Sequence, residues 1–390
     1  MRLTLLPLLA LPLPVLAGDA PEHVLPMWMQ GGHPAVAVSL DGRAEPLRFV
    51  VDSAAGATLV DDRVTRRYGL EDADAAVSHA QGASAKTAQL RRMRTTSWRL
   101  GSWQLQASGV QADLSSLAKD DEAVIDGLVG NDLTGRWDTR WDFGRQELAL
   151  WTPGRLALDG NGCQANALPD RKAGLRHFGF ITVALGDAGV EAIAVVDTGA
   201  AQTVLNAEAA RALGVRTDGS DQRVRVRGKG TEGLGGGRQA TWLYTLPSMT
   251  SAGWRHPPME VRISELPVFK AIGLEARPAL ILGADAMRGG RWTSVPAPHG
   301  SACVGRPTEQ RPAPANVLPV HHLRRRPRVR REQGQHFFSQ LLQHLAGRPL
   351  GELDAQRGMV DAGPLPACSR SIRPLRPVRR VKPPRSGMRG

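Results

Sequence analysis

A chain of 390 residues, 42% of them hydrophobic, can hold two or three domains, and either half is long enough to bury its own core. The net charge of +13 invites a nucleic-acid reading, but residues 301–390 hold 17 Arg and 1 Lys against 3 Glu and 2 Asp, so the whole excess lies there. The first 300 residues are balanced and give no electrostatic reason to expect nucleic acid.

The chain begins MRLTLLPLLALPLPVLAGDA. Arg2 precedes an apolar stretch from Leu3 to Leu16, and Val15 and Ala17 are small residues at cleavage-site spacing. Residues 1–20 read as a secretory signal peptide, too short for a stable span, and the protein is expected to be periplasmic or secreted. An uncleaved anchor is the other reading of the same residues. No later segment is apolar enough to cross a membrane. Cys163, Cys303 and Cys368 are too sparse for a disulfide framework, show no zinc spacing and are read as incidental.

Further on, Val36, Val38 and Leu40 alternate as a half-buried strand does, and Asp41-Gly42 signals a hairpin. A second apolar run then reaches Val50-Val51-Asp52-Ser53-Ala54-Ala55-Gly56. A polar, Ala-rich segment ends at Gly69, and short strands with turn residues lead to Gly127-Leu128-Val129-Gly130-Asn131-Asp132-Leu133. A last strand runs from Trp141 to Trp151, and residues 152–175 form a Pro- and Gly-dotted linker.

The chain then repeats itself, 145 residues on. Ile181, Val183 and Leu185 take the places of Val36, Val38 and Leu40, and Gly186-Asp187 the place of Asp41-Gly42. Val195-Val196-Asp197-Thr198-Gly199-Ala200 takes the place of the first Asp segment, and Gly214 that of Gly69. The distal element recurs as Leu280-Ile281-Leu282-Gly283-Ala284-Asp285. One gapless register over some fifty residues means two copies of one structural unit.

An Asp at the end of an apolar strand is costly to bury alone. Two of them brought together by pseudo-twofold symmetry can share one proton, because like charges that close cannot both ionise. Such a pair serves as general base toward a water and general acid toward a carbonyl. The repeat explains how one chain supplies two matched carboxylates. No G-x-S-x-G, H-E-x-x-H, Walker A or paired C-x-x-C sequence competes with this reading, and neither a cofactor nor a metal is called for.

Asp197-Thr198-Gly199-Ala200, with its apolar-apolar-Gly-x-Asp partner, resembles the retropepsin-like aspartic proteases. The chain is similar to exported bacterial members with two such units in tandem, over roughly residues 30–292. The resemblance implies an all-β fold of two acid-protease β-barrel lobes in a pseudo-twofold arrangement. The divisions expected are 1–20 for the leader, 21–151 for the first lobe, 152–175 for the linker, 176–300 for the second lobe and 301–390 for a tail. It implies that Asp52 and Asp197 are the catalytic pair of an aspartic endopeptidase acting on peptides or proteins as a two-lobed monomer. Ser53 and Thr198 would brace the two loops, with Gly199 and Ala200 shaping the turn. Gly130 and Gly283 would pack beside the Asp loops, and Asp132 and Asp285 are read as helix N-terminal caps.

The first copy departs from the pattern, having Ala54 where the family has Gly. A Cβ opposes a special backbone angle or a close approach, so a catalytically inactive peptide-binding or remnant protein on the same fold is the alternative. For the flaps, the second copy offers Val224 to Gly236, including Gly228 and Gly230, and the first offers the less marked Gln81-Gly82. The G-x-G-x-x-G spelled by Gly228, Gly230 and Gly233 lacks the strand and helix of a dinucleotide site.

After Trp292 the repeat is expected to fail, leaving the second copy without its closing strand. Residues 301–390, with 12 Pro and 17 Arg, read as disordered or as the product of a frame change in GC-rich codons. Residues beyond about 300 are expected to pack against nothing.

Overall fold

The computed structural model describes residues 20–81, 87–117, 124–156, 163–165, 167, 175, 178–228, 230–234, 236–251, 253–288, 290–294 and 301–305. Residues 1–19, Gly82 and residues 306–390 lie outside the described residues, as do most of residues 152–175. The described residues fall in one compact unit.

The first lobe opens with β1 (His23–Gln30), β2 (His33–Leu40) and β3 (Leu47–Val51), paired antiparallel in that order. Asp41 and Gly42 both take positive φ, 54° and 69°, the turn that their sequence signals and that matches strand twist. β4 (Leu59–Asp61) leads into α1 (Asp62–Tyr68), which Asp61 caps and Gly69 ends at φ 61°. Two hairpins follow, β5 (Val77–Gln81) with β6 (Thr87–Arg92), and β7 (Thr96–Leu100) with β8 (Trp103–Ala107). The lobe closes with β9 (Val110–Ala112), β10 (Gly127–Val129), α2 (Asn131–Thr134), β11 (Asp138–Asp142) and β12 (Glu147–Trp151).

Within the linker, β13 (Cys163–Ala165) precedes the second lobe. That lobe repeats the plan with β14 (Phe180–Leu185), β15 (Val190–Val196), β16 (Val204–Leu205) and α3 (Ala207–Ala212). Asn206 caps α3 as Asp61 caps α1, and Gly214 follows it at φ 65°. Then come β17 (Val224–Val226), a small hairpin of β18 (Thr231–Glu232) and β19 (Arg238–Gln239), β20 (Trp242–Leu246), β21 (Met249–Ser251), β22 (Trp254–His256) and β23 (Met259–Ile263). The last elements are α4 (Pro267–Ala271), β24 (Ala279–Leu282), α5 (Ala284–Met287), β25 (Arg291–Ser294) and β26 (Ser301–Gly305).

The fold is all-β with two lobes. In each lobe the strand before the Asp pairs parallel with the distal strand: β3 with β10, and β15 with β24. Parallel neighbours end on the same side, so the Asp loop and the Gly loop leave the sheet together. The distal strand pairs antiparallel on its other edge with β4 or β16. The apolar residues of the repeat fill the core, with Val36, Val38, Leu40, Ile181, Val183 and Leu185 all buried. The half-buried alternation expected of β2 is exceeded. Only Ala37 is exposed among its eight residues, because β2 lies between β3, β1 and β7.

Six strands at one end of a fifteen-stranded sheet bridge the lobes, in the order β13-β26-β25-β11-β12-β1. Its midline is the antiparallel pair β11 and β25, where Trp141 faces Trp292 and both are buried. Two expectations are corrected here. The second copy does have a closing hairpin, since β25 and β26 pair as β11 and β12 do. Residues just past 300 do not pack against nothing: Ser301–Gly305 is hydrogen-bonded to β25 on one side and to β13 on the other. The repeat was lost to the eye because an unmatched segment separates β25 from β26, and strand pairing depends on backbone groups that sequence similarity does not record. Most of the linker lies outside the described residues, but its β13 is the outermost strand of this sheet.

Candidate active site

Asp52 follows β3 and Asp197 follows β15, each within 2% of complete burial. Their backbone N–H groups donate to matched carbonyls, Asp52 to Val129 at 2.9 Å and Asp197 to Leu282 at 3.0 Å. The next residues hold the two loops together. Ser53 N–H donates to Thr198 Oγ1 at 2.9 Å, and Thr198 N–H to Ser53 Oγ at 3.0 Å. Each hydroxyl then donates across the pseudo-twofold axis, Ser53 to the Val196 carbonyl at 3.0 Å and Thr198 to the Val51 carbonyl at 2.8 Å. The four bonds are reciprocal, so neither loop can move without the other. A Ser and a Thr do equivalent work because both supply one donor and an acceptor.

Each Asp is also held within its loop. Asp52 Oδ1 accepts from Ala54 N–H at 2.9 Å, and Asp197 Oδ1 accepts from Ala200 N–H at 2.9 Å. In the repeat Ala54 corresponds to Gly199 and Ala55 to Ala200. The Asp52 carboxylate lies against Gly199, where a Cβ would come within 2.3 Å of Cγ and Oδ2. Only a residue without a side chain fits at 199.

Ala54 lies in the opposite environment. Its φ is not in the left-handed region, where Asp41 and Gln146 are the non-glycine residues found among those described. It is buried in an apolar cluster of the second lobe with Phe178, Phe180 and Val195. Phe178 stands 145 residues after His33, and His33 Nδ1 donates to the Gly199 carbonyl at 3.0 Å. Thus the first lobe sends a His to the second Asp loop, and the second lobe supplies a Phe to the cluster around Ala54. The methyl of Ala54 belongs to that packing.

Gly130 and Gly283 each lie tight against the backbone of an Asp loop. A Cβ at Gly130 would lie 2.5 Å from the Ala57 carbonyl, and one at Gly283 2.6 Å from the Gln202 carbonyl carbon. The residues after them tie the loops down, with Asn131 N–H donating to the Ala55 carbonyl and Ala284 N–H to the Ala200 carbonyl, both at 2.7 Å. Asp132 and Asp285 are not helix caps. The cap positions are Gly130 and Gly283, which have no capping side chain. Asp132 accepts from Thr58 Oγ1 and Asp285 from Thr203 Oγ1, both at 2.8 Å, which anchors the far end of each Asp loop. Burial raises both carboxyls, and the Thr bonds work against that rise.

Sequence reasoning missed two residues here. His33 is completely buried, and burial holds its pKa down to about 3; the Gly199 carbonyl opposes the shift and the charge of Arg262 adds to it. Arg262 on β23 is itself buried, its Nε donating to Gln202 at 2.9 Å and its Nη1 to Thr231 Oγ1 at 3.1 Å. Burial, then the like charge of Arg227, lowers it to about 8. The signal for His33 was present, since extending the repeat three residues back from Val36 aligns it with Phe178. Arg262 gave none: it occupies, by strand pairing alone, the place that Val110 has in the first lobe.

Of the flap candidates, Gly82 lies outside the described residues. Gly228 is exposed in a turn. Gly230 has φ 62° at the base of the β18–β19 hairpin, where a Cβ would lie 2.6 Å from the Gln239 carbonyl oxygen. The G-x-G-x-x-G spelling sits on this turn and hairpin, with no helix following. Among the described residues no group of His, Cys, Asp or Glu could hold a metal ion, and no helix is long and apolar enough to cross a membrane.

Two β lobes that meet through matched Asp loops, locked by reciprocal hydroxyl bonds, define a two-lobed protein of the acid-protease type. A family model described as aspartyl protease matches residues 36–133 and 181–286. These two segments cover just over half of the chain and coincide with the two repeats, and the chain belongs to that family. No curated protein matches it.

Proposed function

We propose that this protein is an exported aspartic endopeptidase in which Asp52 and Asp197 together activate a water for attack on a peptide carbonyl. The observation that carries the reading is the set of four reciprocal bonds that Ser53 and Thr198 make across the two loops, two with each other and one each to the Val196 and Val51 carbonyls, which fixes two buried carboxylates on facing loops. Such an exchange costs four donors and acceptors that a purely structural interface could satisfy locally. It pre-organises the pair, which is what a shared-proton mechanism needs. One carboxylate accepts the proton of the water as its oxygen bonds the carbonyl carbon. The other, protonated, donates to the carbonyl oxygen, and a proton then passes to the leaving nitrogen as the C–N bond breaks.

The alternative, a non-catalytic peptide-binding protein, rests on Ala54. Its methyl packs with the second lobe's cluster and its φ is not in the left-handed region, so the loop accommodates the Cβ. The balanced charge of the first 300 residues fits a peptide substrate better than a nucleic acid. The test is cleavage of a mixed peptide library by the purified full chain between pH 3 and 7, with Asp52→Asn and Asp197→Asn beside it. Both variants should be inactive. Residual activity in either one removes that residue from the pair.

A further inference from the structure

Two of the chain's three cysteines, incidental by their spacing, meet in the bridging sheet. β13 pairs antiparallel with β26, and in that register Cys163 is the direct partner of Cys303. Both strands are also held from elsewhere. Gln164 Nε2 donates to the Thr182 carbonyl at 3.0 Å, and Thr182 N–H donates to Gln164 Oε1 at 3.0 Å. These two bonds to β14 set the position of Gln164, and strand alternation then places Cys163 and Ala165 on the opposite face. On the far side of β26, Cys303 pairs with Thr293, and Thr293 with Arg140.

Cys163, Cys303, Thr293 and Arg140 thus stand opposite one another across four strands and share one face of the sheet. Thr293 and Arg140 are half-buried, while the buried Trp292 and Trp141 alternate with them on the other face. The cysteine row therefore belongs to the less buried face. Directly opposite residues of an antiparallel pair have Cα atoms roughly 4.5 or 5.5 Å apart, according to the kind of pair. Both distances fall inside the range of roughly 4.4–6.8 Å that a disulfide spans.

We propose that Cys163 and Cys303 form a disulfide that clasps the linker strand to the closing hairpin of the second lobe. The inference rests on the export reading for its oxidant, because disulfides persist outside the cytoplasm. It does not depend on the peptidase reading. One cysteine thiolate attacks the disulfide of an exported thiol oxidant and forms a mixed disulfide. The other thiolate attacks the chain's sulfur in that bond, and the oxidant leaves as a dithiol. The pair has then lost two protons and two electrons, which reduce the oxidant. The closed loop runs from the linker to the last strand of the second lobe, and a loop that long constrains the unfolded chain strongly. β13 is three residues long at the outer edge of the sheet, the place where a strand opens most easily. Cys368 lies outside the described residues, and its thiol stays free in this scheme.

The experiment expresses the full chain, leader included, in a bacterial host with a periplasm. Each cell fraction is alkylated with a maleimide under denaturing conditions, before and after reduction. Periplasmic chain should take one maleimide, on Cys368, and three after reduction, with the Cys163 and Cys303 peptides linked until then. Cys303→Ser should free the Cys163 thiol, and Cys368→Ser should leave the link intact. In parallel, reduced chain from the cytoplasm is treated with oxidised glutathione. It should form the same link and melt several degrees higher, a rise that Cys303→Ser does not show. Free thiols at both positions in periplasmic chain, or a link of either to Cys368, overturns the proposal. So does oxidation that yields only glutathione adducts. Chain found in the cytoplasm alone that links Cys163 to Cys303 in glutathione keeps the clasp and sinks the export reading.

Discussion

The carboxylate of Asp52 lies directly on Gly199: a Cβ built there falls 2.3 Å from its Cγ. The two Asp loops are therefore not interchangeable, although they arise from one repeat. Position 199 must be empty for Asp52 to lie where it does, while position 54 carries a methyl that packs with the second lobe's apolar cluster.

Gly199→Ala should push Asp52 aside and lower kcat/KM by about hundredfold or more, the cost of misplacing a reacting group by roughly an ångström. Ala54→Gly should leave activity at or above the parent level. Steady-state kinetics on one peptide checks both. Equal tolerance of the two changes would show that Asp52 does not need the space.

Thr198→Val removes the donor to the Val51 carbonyl and the acceptor for Ser53 N–H together. Leaving those buried groups unpaired should cost about 1–3 kcal/mol each at most, read as a lower denaturation midpoint. Thr198→Ser, which keeps the hydroxyl, should retain stability and activity. If Val and Ser behave alike, the reciprocal bonds contribute nothing to stability.

His33 makes stability depend on pH. Above about 6.5 it is neutral in both the folded and unfolded chains. Between 6.5 and its folded value of about 3, the unfolded chain binds a proton that the buried ring refuses, so stability falls as the pH falls. His256, held down to about 4 by burial, acts in the same direction. The raised carboxyls of Asp132 and Asp285 act in the opposite one. Comparison with His33→Phe, which copies the residue at 178, isolates the first contribution. The variant's melting temperature relative to the parent should rise as the pH is lowered from 6.5 to 4. Parallel curves would show that His33 is protonated without penalty.

The bridging sheet sets the shortest chain that keeps this fold. A chain ending at residue 292 loses part of β25 and all of β26, and with them the pairing of β13. It should melt several degrees lower than the full chain, since about 1 kcal/mol moves the midpoint of a domain this size by roughly 2–4 °C. A chain ending at 305 keeps all six strands and should match the full chain. Equal melting of the 292 and full-length chains would remove β26 from the folded protein.

The amino-acid sequence by itself determined the two units, the register that relates them, and the Asp, Ser, Thr and Gly residues that meet at their interface. It could do so because these depend on local pattern: apolar alternation, a turn and a carboxylate at a fixed distance from both. Gly69 and Gly214, which follow α1 and α3, are legible for the same reason. Three features were decided only by the tertiary structure. The spacing of Asp132 and Asp285 looked like helix capping, but the carboxylates turn to Thr58 and Thr203, residues brought alongside by a strand pairing more than seventy positions away in sequence. The closing hairpin of the second lobe reappeared once backbone hydrogen bonds, which carry no residue signature, could be followed through β25 into β26. The unlike environments of Ala54 and Gly199 arise because one repeat folded twice meets itself with unequal side chains. A twofold interface made from a duplicated sequence keeps its symmetry in the backbone and in the matched Ser, Thr and Asp bonds, and packing decides elsewhere which half must yield space to the other.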